Sequence, residues 1–494
     1  MIPVTVRELA ALLGADVRGG DGAPPVAALD RQLSGLVVDS RQVDDGSLFL
    51  ALPGEHVDGH DYVTGAFAAG AAAALTSRPV PGAGGPCLVV ENPLLAAGRL
   101  ARDQVDRAVA DGLAVVAITG SAGKTSTKDL LAQVLEVAGP TVAPVGNLNN
   151  ELGVPLTVCR IDRATRFLVA EMGARGVGHV AYLCTIAPPQ VATVLNVGTA
   201  HVGEFGSKEQ IAVAKGEIVE ALTADGTAVL TTDDPLVWAM RHRTRARVIA
   251  TSALAEPDAA DAIWADAVEA DALGRCTFTL HEKSDGGPVA SVRVQLGLSG
   301  RHHVANAVAA AALARALGVS ATTVAGALAT ARPRSRWRME LTERADGVLV
   351  VNDAYNANPE SMRAALDTVA QVAATRPGAV GWAVLGDMLE LGPAAAEAHR
   401  ELGAYAAARG IARIVALGEF AGAVVAGATA ARPGVRAEVA SDRDDAVRQV
   451  LSDVAAGDVI LVKASRGLTL DTVAAALAAA GPVGPDDEQG EDGA

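Results

Sequence analysis

The residues best suited to chemistry are Gly120-Ser121-Ala122-Gly123-Lys124-Thr125-Ser126, which follow the apolar run Leu113–Thr119. A short buried strand feeding a glycine-rich turn and then a helix aims backbone N–H groups and a helix N-terminus at one point, which suits a phosphate. Lys124 adds a charge for the outer phosphates of ATP, and the Thr125 hydroxyl can hold Mg²⁺. The loop departs from the commonest phosphate-loop pattern, which has a glycine where this chain has Ile118. Its G-x-x-G-K-T spacing is two residues shorter, which points away from the commonest kinases and GTPases.

Further polar residues fall at the ends of strand-like runs. Glu171 ends Phe167–Ala170 on the edge that carries the phosphate loop, and a carboxylate there can hold Mg²⁺, a hard ion that takes oxygen ligands. His201 lies past Val191–Val197 on the same edge, so a second cation is credible, as suits phosphoryl transfer between two anions. Lys215 reads as an ordinary helix lysine. Asn147-Leu148-Asn149-Asn150 is a polar turn whose asparagines can cap a helix. Asp353-Ala354-Tyr355-Asn356-Ala357-Asn358-Pro359 follows a strand and precedes a helix, so its polar groups are either ligand contacts or N-caps with Pro359 in the first turn. Arg334, Arg336 and Arg338 are either a solvated linker or hinge arginines that reach a phosphate when domains close. No Ser/His/Asp triad stands out.

The elements that must position these residues are α/β. At 494 residues the chain exceeds one core and predicts about three domains of roughly 100–200 residues. Aromatics are only 3% of it, so small aliphatics must build closely packed layers. Residues 1–110 read as a small N-terminal α/β domain, with a helix predicted over Tyr62–Ala74. Residues 111–332 read as a central domain with a P-loop ATPase-type parallel sheet, Val289–Leu298 adding an antiparallel strand and Val304–Leu317 a helix. Alternation resumes over 333–483, a second doubly wound sheet. The acidic stretch 484–494 reads as a disordered tail.

A net charge of −16, from 41 basic and 57 acidic residues, argues against a nucleic-acid surface. The four cysteines show no C-x-x-C pair and read as buried free thiols of a reducing compartment. No signal peptide and no apolar run long enough for a membrane span is apparent, so the expected location is cytoplasmic.

These residues together identify a resemblance. Thr119–Ser126, Gly146–Pro155, Glu171–Ala174, Leu298–Ala307, Asn352–Met362 and Leu385–Gly392 resemble the motifs of the Mur ligases, the ATP-dependent amide ligases of peptidoglycan precursor synthesis. The likeness runs from about Asp39 to about Lys463. The short phosphate loop is shared with the folylpolyglutamate synthases. The Asn-rich segments are similar to the branch that adds D-alanyl-D-alanine to UDP-N-acetylmuramoyl-tripeptide. A sister Mur-type or folylpolyglutamate-type ligase adding a different amino acid is the alternative.

The resemblance implies an N-terminal domain for the UDP-sugar, a central ATPase and a C-terminal Rossmann-like domain that closes over the site. It implies that Ser40 and Arg41 lie near the uridine nucleotide and that Thr125, Glu171 and His201 hold Mg²⁺. Lys215 matches a lysine that carries a carbamate and positions a second Mg²⁺. Asn306, Arg336 and Asp353 match nucleotide positions, and Asn149, Asn150, Tyr355, Asn356 and Asn358 match substrate positions. The expected protein is a monomer acting through an acyl phosphate. His303 stands where the family more usually has asparagine, and the D-N-P-R segment common in the sister that adds the diamino acid is absent.

Overall fold

The computed structural model describes residues 1–20, 22–54, 57–199 and 202–481. His201 and the acidic stretch 484–494, both singled out above, lie outside them.

Among the described residues three sheets follow one another along the chain, of five, nine and six strands. The nine-stranded sheet carries the phosphate loop. Ala114–Thr119 is buried along nearly its whole length because helices cover both faces of the sheet, which is why it reads as continuous apolar sequence rather than alternation. It lies parallel between Phe167–Glu171 and Val191–Val194, in a register that sets Ile118 opposite Glu171 and Thr119 opposite Val194. The strands that follow thus pair on either side of it, and the crevice at their carboxyl ends is where open α/β sheets bind ligands.

Thr227–Thr231, Arg247–Ser252 and Ala262–Ala270 extend the parallel part, and Arg275–Lys283 and Ala290–Ser299 close that edge antiparallel. The helix Lys124–Ala138 packs against His302–Ala316, where Ala307, Ala310, Ala311 and Ala314 are fully buried. Alanines let these helices approach closely, so a core poor in aromatics still fills.

In the five-stranded sheet the helix predicted over Tyr62–Ala74 is cut short. Val63–Ala68 is helical, Gly70 turns at φ +115°, and Ala73–Thr76 is a fully buried strand. Local alanine propensity gives way here to burial between two neighbouring strands, Ser47–Leu50 and Cys87–Val89.

The six-stranded sheet sets Leu349–Asn352 beside Val459–Lys463, with Gly381–Gly386 beyond, all parallel. Its crevice therefore holds the residues after Asn352 and the end of the strand that stops at Lys463. The chain crosses from the second sheet to this one between the helix Ala321–Thr330 and the strand Glu340–Glu343. Along that crossing Arg334 pairs with Glu136, and the Ser335 N–H donates to Asp129 at 3.1 Å. All four cysteines are free and buried. Among the described residues no helix is long and apolar enough to cross a membrane.

Candidate active site

The phosphate loop is held open by the segment that follows the neighbouring strand Val191–Val194. The Ala122 N–H donates to Asn196 Oδ1 at 2.8 Å, Asn196 Nδ2 donates back to the Ala122 carbonyl at 3.0 Å, and the Gly198 N–H donates to Ser121 Oγ at 2.9 Å. Gly123 caps the helix Lys124–Ala138 in the left-handed region, at φ +82°. A Cβ there would meet Asn306 Oδ1 at 2.5 Å, so backbone and Asn306 approach as only glycine permits. Lys124 folds back and donates to the Gly120 carbonyl at 2.7 Å, which places its ammonium over its own loop.

Cations and one carboxylate crowd this point. Burial pushes the Lys124 ammonium down in pKa, Glu171 raises it and Arg338 lowers it further. Lys215 is buried and held well below the usual lysine range, by burial first and the charge of Lys124 second. Glu171 is buried; its Oε1 accepts from Asn149 Nδ2 at 2.7 Å, and its Oε2 has no hydrogen-bond partner among the described residues. A buried carboxylate oxygen left unpaired is costly unless a cation meets it. Glu171 and the buried Thr125 hydroxyl are hard oxygen donors, so the residues present fit Mg²⁺.

The third sheet supplies the opposite wall. Asp353 is fixed from two sides: its Oδ1 accepts from the Met339 N–H at 3.0 Å, and its Oδ2 from the buried Lys463 ammonium at 2.6 Å. Lys463 also donates to the Asn356 carbonyl at 2.8 Å. Arg338 lies over the Tyr355 ring, 4.2 Å from its centroid. Its two neighbours, Trp337 (φ +59°) and Met339 (φ +49°), both sit in the left-handed region. That conformation is costly for bulky residues, and here it turns the crossing chain so that Arg338 faces the site. The His302 and His303 rings lie tilted against each other with centroids 4.2 Å apart; burial holds His302 at about 4 and His303 well below the usual histidine value.

One cavity of about 860 Å³ joins these walls. Ser121, Ala122, Gly123, Lys124, Thr125, Ser126, Glu171, Lys215 and Asn306 line it from the second sheet, as do Asn149 and Asn150. Asp353, Tyr355, Asn356 and Asn358 line it from the third. Several of the asparagines also hold local structure. Asn358 Oδ1 caps the helix Pro359–Thr375 through the Ser361 N–H at 2.8 Å, Asn150 Oδ1 accepts from the Gly153 N–H at 2.8 Å, and Asn356 Oδ1 accepts from the Ala357 N–H at 2.9 Å.

Some of the expected residues stand elsewhere. Gly120 is not part of the lining. Ser40 and Arg41 form a short turn of the first sheet, outside this cavity, where hydrogen bonds from Arg41 hold the Asp39 carboxyl at about 2. Arg336 lines a second hollow of about 430 Å³ against Arg275 and Leu298. The crossing arginine in the main cavity is Arg338, two positions on. Reading residues singly also missed His302, Glu360 and Lys463, all of which line the cavity. Lys463 carried a legible signal, being the last residue of an apolar strand beside Asp353. Glu360 carried none.

A phosphate loop at a parallel-sheet switch point, walled by a second α/β sheet with its own polar crevice, defines a nucleotide-using enzyme whose domains meet over the reaction. Comparison with known proteins agrees. Residues 32–108 match the Mur ligase family catalytic domain, 118–314 the Mur ligase middle domain, and 337–466 the Mur ligase, glutamate ligase domain. A UDP-N-acetylmuramoyl-tripeptide–D-alanyl-D-alanine ligase of Mycobacterium tuberculosis is 44% identical over 97% of this chain and 98% of its own. A protein of the same name from Escherichia coli is 35% identical over 97% and 99%. The crystal structure of MurF from Acinetobacter baumannii superposes with a TM-score of 0.83 at 32% identity, covering 96% of this chain and 99% of that one. MurF from Thermotoga maritima in complex with ADP gives 0.74 at 27% identity, over 90% and 97%. The chain belongs to the Mur ligase family and has its three-domain α/β architecture.

Proposed function

We propose that this protein joins D-alanyl-D-alanine to the terminal carboxylate of UDP-N-acetylmuramoyl-tripeptide, converting ATP to ADP and phosphate and yielding the UDP-MurNAc-pentapeptide for peptidoglycan. The observation that carries the reading is the single cavity that holds a phosphate loop on one wall and Tyr355, Asn356 and Asn358 on the other. Relatives of that name across the whole chain support it.

The tripeptide carboxylate attacks the γ-phosphorus of ATP, the bond to ADP breaks, and an acyl phosphate forms. The D-Ala-D-Ala amine then attacks the acyl carbon, phosphate leaves, and the amine loses its proton. Backbone N–H groups of Gly123–Thr125, Lys124 and Arg338 face the phosphates and offset the charge that builds during transfer, and such preorganised electrostatics usually supply the largest catalytic term. To bind ATP, the Lys124 ammonium leaves the Gly120 carbonyl and turns to the phosphates. Asn306 and Asp353 orient the nucleotide, with Arg338 rather than Arg336 on the phosphate side. Closure of the third domain excludes water that would hydrolyse the acyl phosphate.

Thr125, Glu171 and His201 would hold Mg²⁺, and Lys215 a second ion through a carbamate. The ions supply positive charge between the two anionic reactants. Lys215 suits carbamate formation because burial and the charge of Lys124 favour its neutral amine, the form that adds to CO₂. Ser40 and Arg41 would sit by the uridine end and Asn149 and Asn150 by the peptide. We place the reaction in the cytoplasm, in a monomer. A panel of amine substrates tests the assignment: UDP-MurNAc-tripeptide and ATP should give amide product with D-Ala-D-Ala and none with a free diamino acid or glutamate. Equal product with a single amino acid would make this a sister ligase.

A further inference from the structure

Glu360 is the second residue of the helix Pro359–Thr375, where an acidic side chain commonly stays in water and answers the helix dipole. Here it reaches across to the second sheet. Its Oε1 accepts from the Thr199 N–H at 2.9 Å and from the Thr199 hydroxyl at 3.0 Å. Gly198 lies beneath it: a methyl group there would meet Oε1 at 2.8 Å and Oε2 at 3.2 Å. The N–H of the same Gly198 donates to Ser121 of the phosphate loop. On its own side, Glu360 follows the N-cap Asn358 and the cavity residues Tyr355 and Asn356. A second contact closes the same seam, from the Gly203 N–H to the Glu390 carbonyl at 3.3 Å.

We propose that Glu360 is a positioning residue that couples the occupied phosphate loop to the binding of the amine acceptor. Two sets of hydrogen bonds joined by the Gly198–Thr199 peptide, Thr199 to Glu360 and Gly198 to Ser121, run from its carboxylate to the ATP site, and its own helix turn carries the acceptor segment. Charge-assisted bonds to a backbone N–H and a hydroxyl are the stronger kind, and they exist only while the two domains touch. Glu360 thus favours the arrangement in which an acyl phosphate, once made, meets an amine rather than water. This rests on the reading above that the dipeptide binds along Tyr355–Asn358.

The test measures ADP and amide in the same reactions for wild type, Glu360→Ala, Glu360→Gln and Gly198→Ala. Wild type should release one ADP per amide. In Glu360→Ala the KM for D-Ala-D-Ala should rise about tenfold or more, a typical coupling factor, while the KM for ATP moves by less than about threefold. ADP should then exceed amide, because water returns the acyl phosphate to carboxylate and phosphate. Glu360→Gln keeps an acceptor oxygen for Thr199 but loses the charge that strengthens the bonds, so it should fall between wild type and Glu360→Ala. Gly198→Ala pushes the intact carboxylate away and should reproduce the uncoupling, which covers the case of a Glu360→Ala protein that does not fold. A folded Glu360→Ala with wild-type dipeptide KM and one ADP per amide overturns the proposal, as does an equal rise in both KM values. A wild type that makes no amide overturns the functional reading itself.

Discussion

Lys215 shows how far a single residue's chemistry depends on its surroundings. Nothing in Ala212–Ile218 marks it from any helix lysine, and its significance comes from burial beside Lys124. Lys215→Ala should lower kcat by about 10²–10³-fold or more, the scale for losing one electrostatic contact to the reacting group, and short carboxylic acids should partly restore it. Full activity in the variant would remove Lys215 from the mechanism. His302 gives a pH prediction. Its folded pKa is about 4 against 6.5 for an ordinary histidine, so between those values the unfolded chain binds more protons. The stability that His302 lends is therefore complete above about pH 6.5 and is lost as pH falls toward about 4. Urea midpoints measured across that range should fall less steeply for His302→Gln than for wild type. Equal slopes would mean that His302 is not buried in its neutral form.

At the scale of elements, turns and caps place the chemistry. Gly123→Ala must hold a left-handed φ and push Asn306 aside, a strain of about 1–3 kcal/mol, so ATP should bind about five- to 150-fold more weakly by calorimetry. Unchanged affinity would mean that the loop and Asn306 do not close on the nucleotide. Asn358 was legible as either a cap or a ligand contact, and its Oδ1 is the cap. Asn358→Ala should cost about 1 kcal/mol of stability in urea titrations, and Asn358→Ser, which still caps, should lose little of it.

Most parallel strands could be read from apolar runs: Phe167–Ala170 and Val191–Val197 mark the strands Phe167–Glu171 and Val191–Val194. The strand Ala73–Thr76 could not, because alanine carries no strand signal of its own and only its neighbours make it one. Arg338 could be narrowed only to a set of three arginines. The two left-handed residues that choose it, Trp337 and Met339, have no sequence signature comparable to glycine.

For the whole molecule, the decisive feature is that two crevices from two sheets share one cavity. The phosphate loop was plain in the sequence, since glycine spacing and a lysine suffice to mark it. Its meeting with Lys463 and Glu360 was not, because these reach it only through the packing of separate domains. The Arg334–Glu136 pair along the crossing is half exposed, so Arg334→Ala should change stability by less than about 1 kcal/mol in thermal melts. A larger loss would mean that the crossing segment is held by that pair rather than by burial of Ser335 and Met339.

Shared walls imply shared turnover, so the most direct measurement is ADP release with substrates supplied singly and together. Sustained release should require ATP, UDP-MurNAc-tripeptide and D-Ala-D-Ala at once, with amide formed in step. Sustained release without the dipeptide, or release supported equally by a single diamino acid, would contradict it.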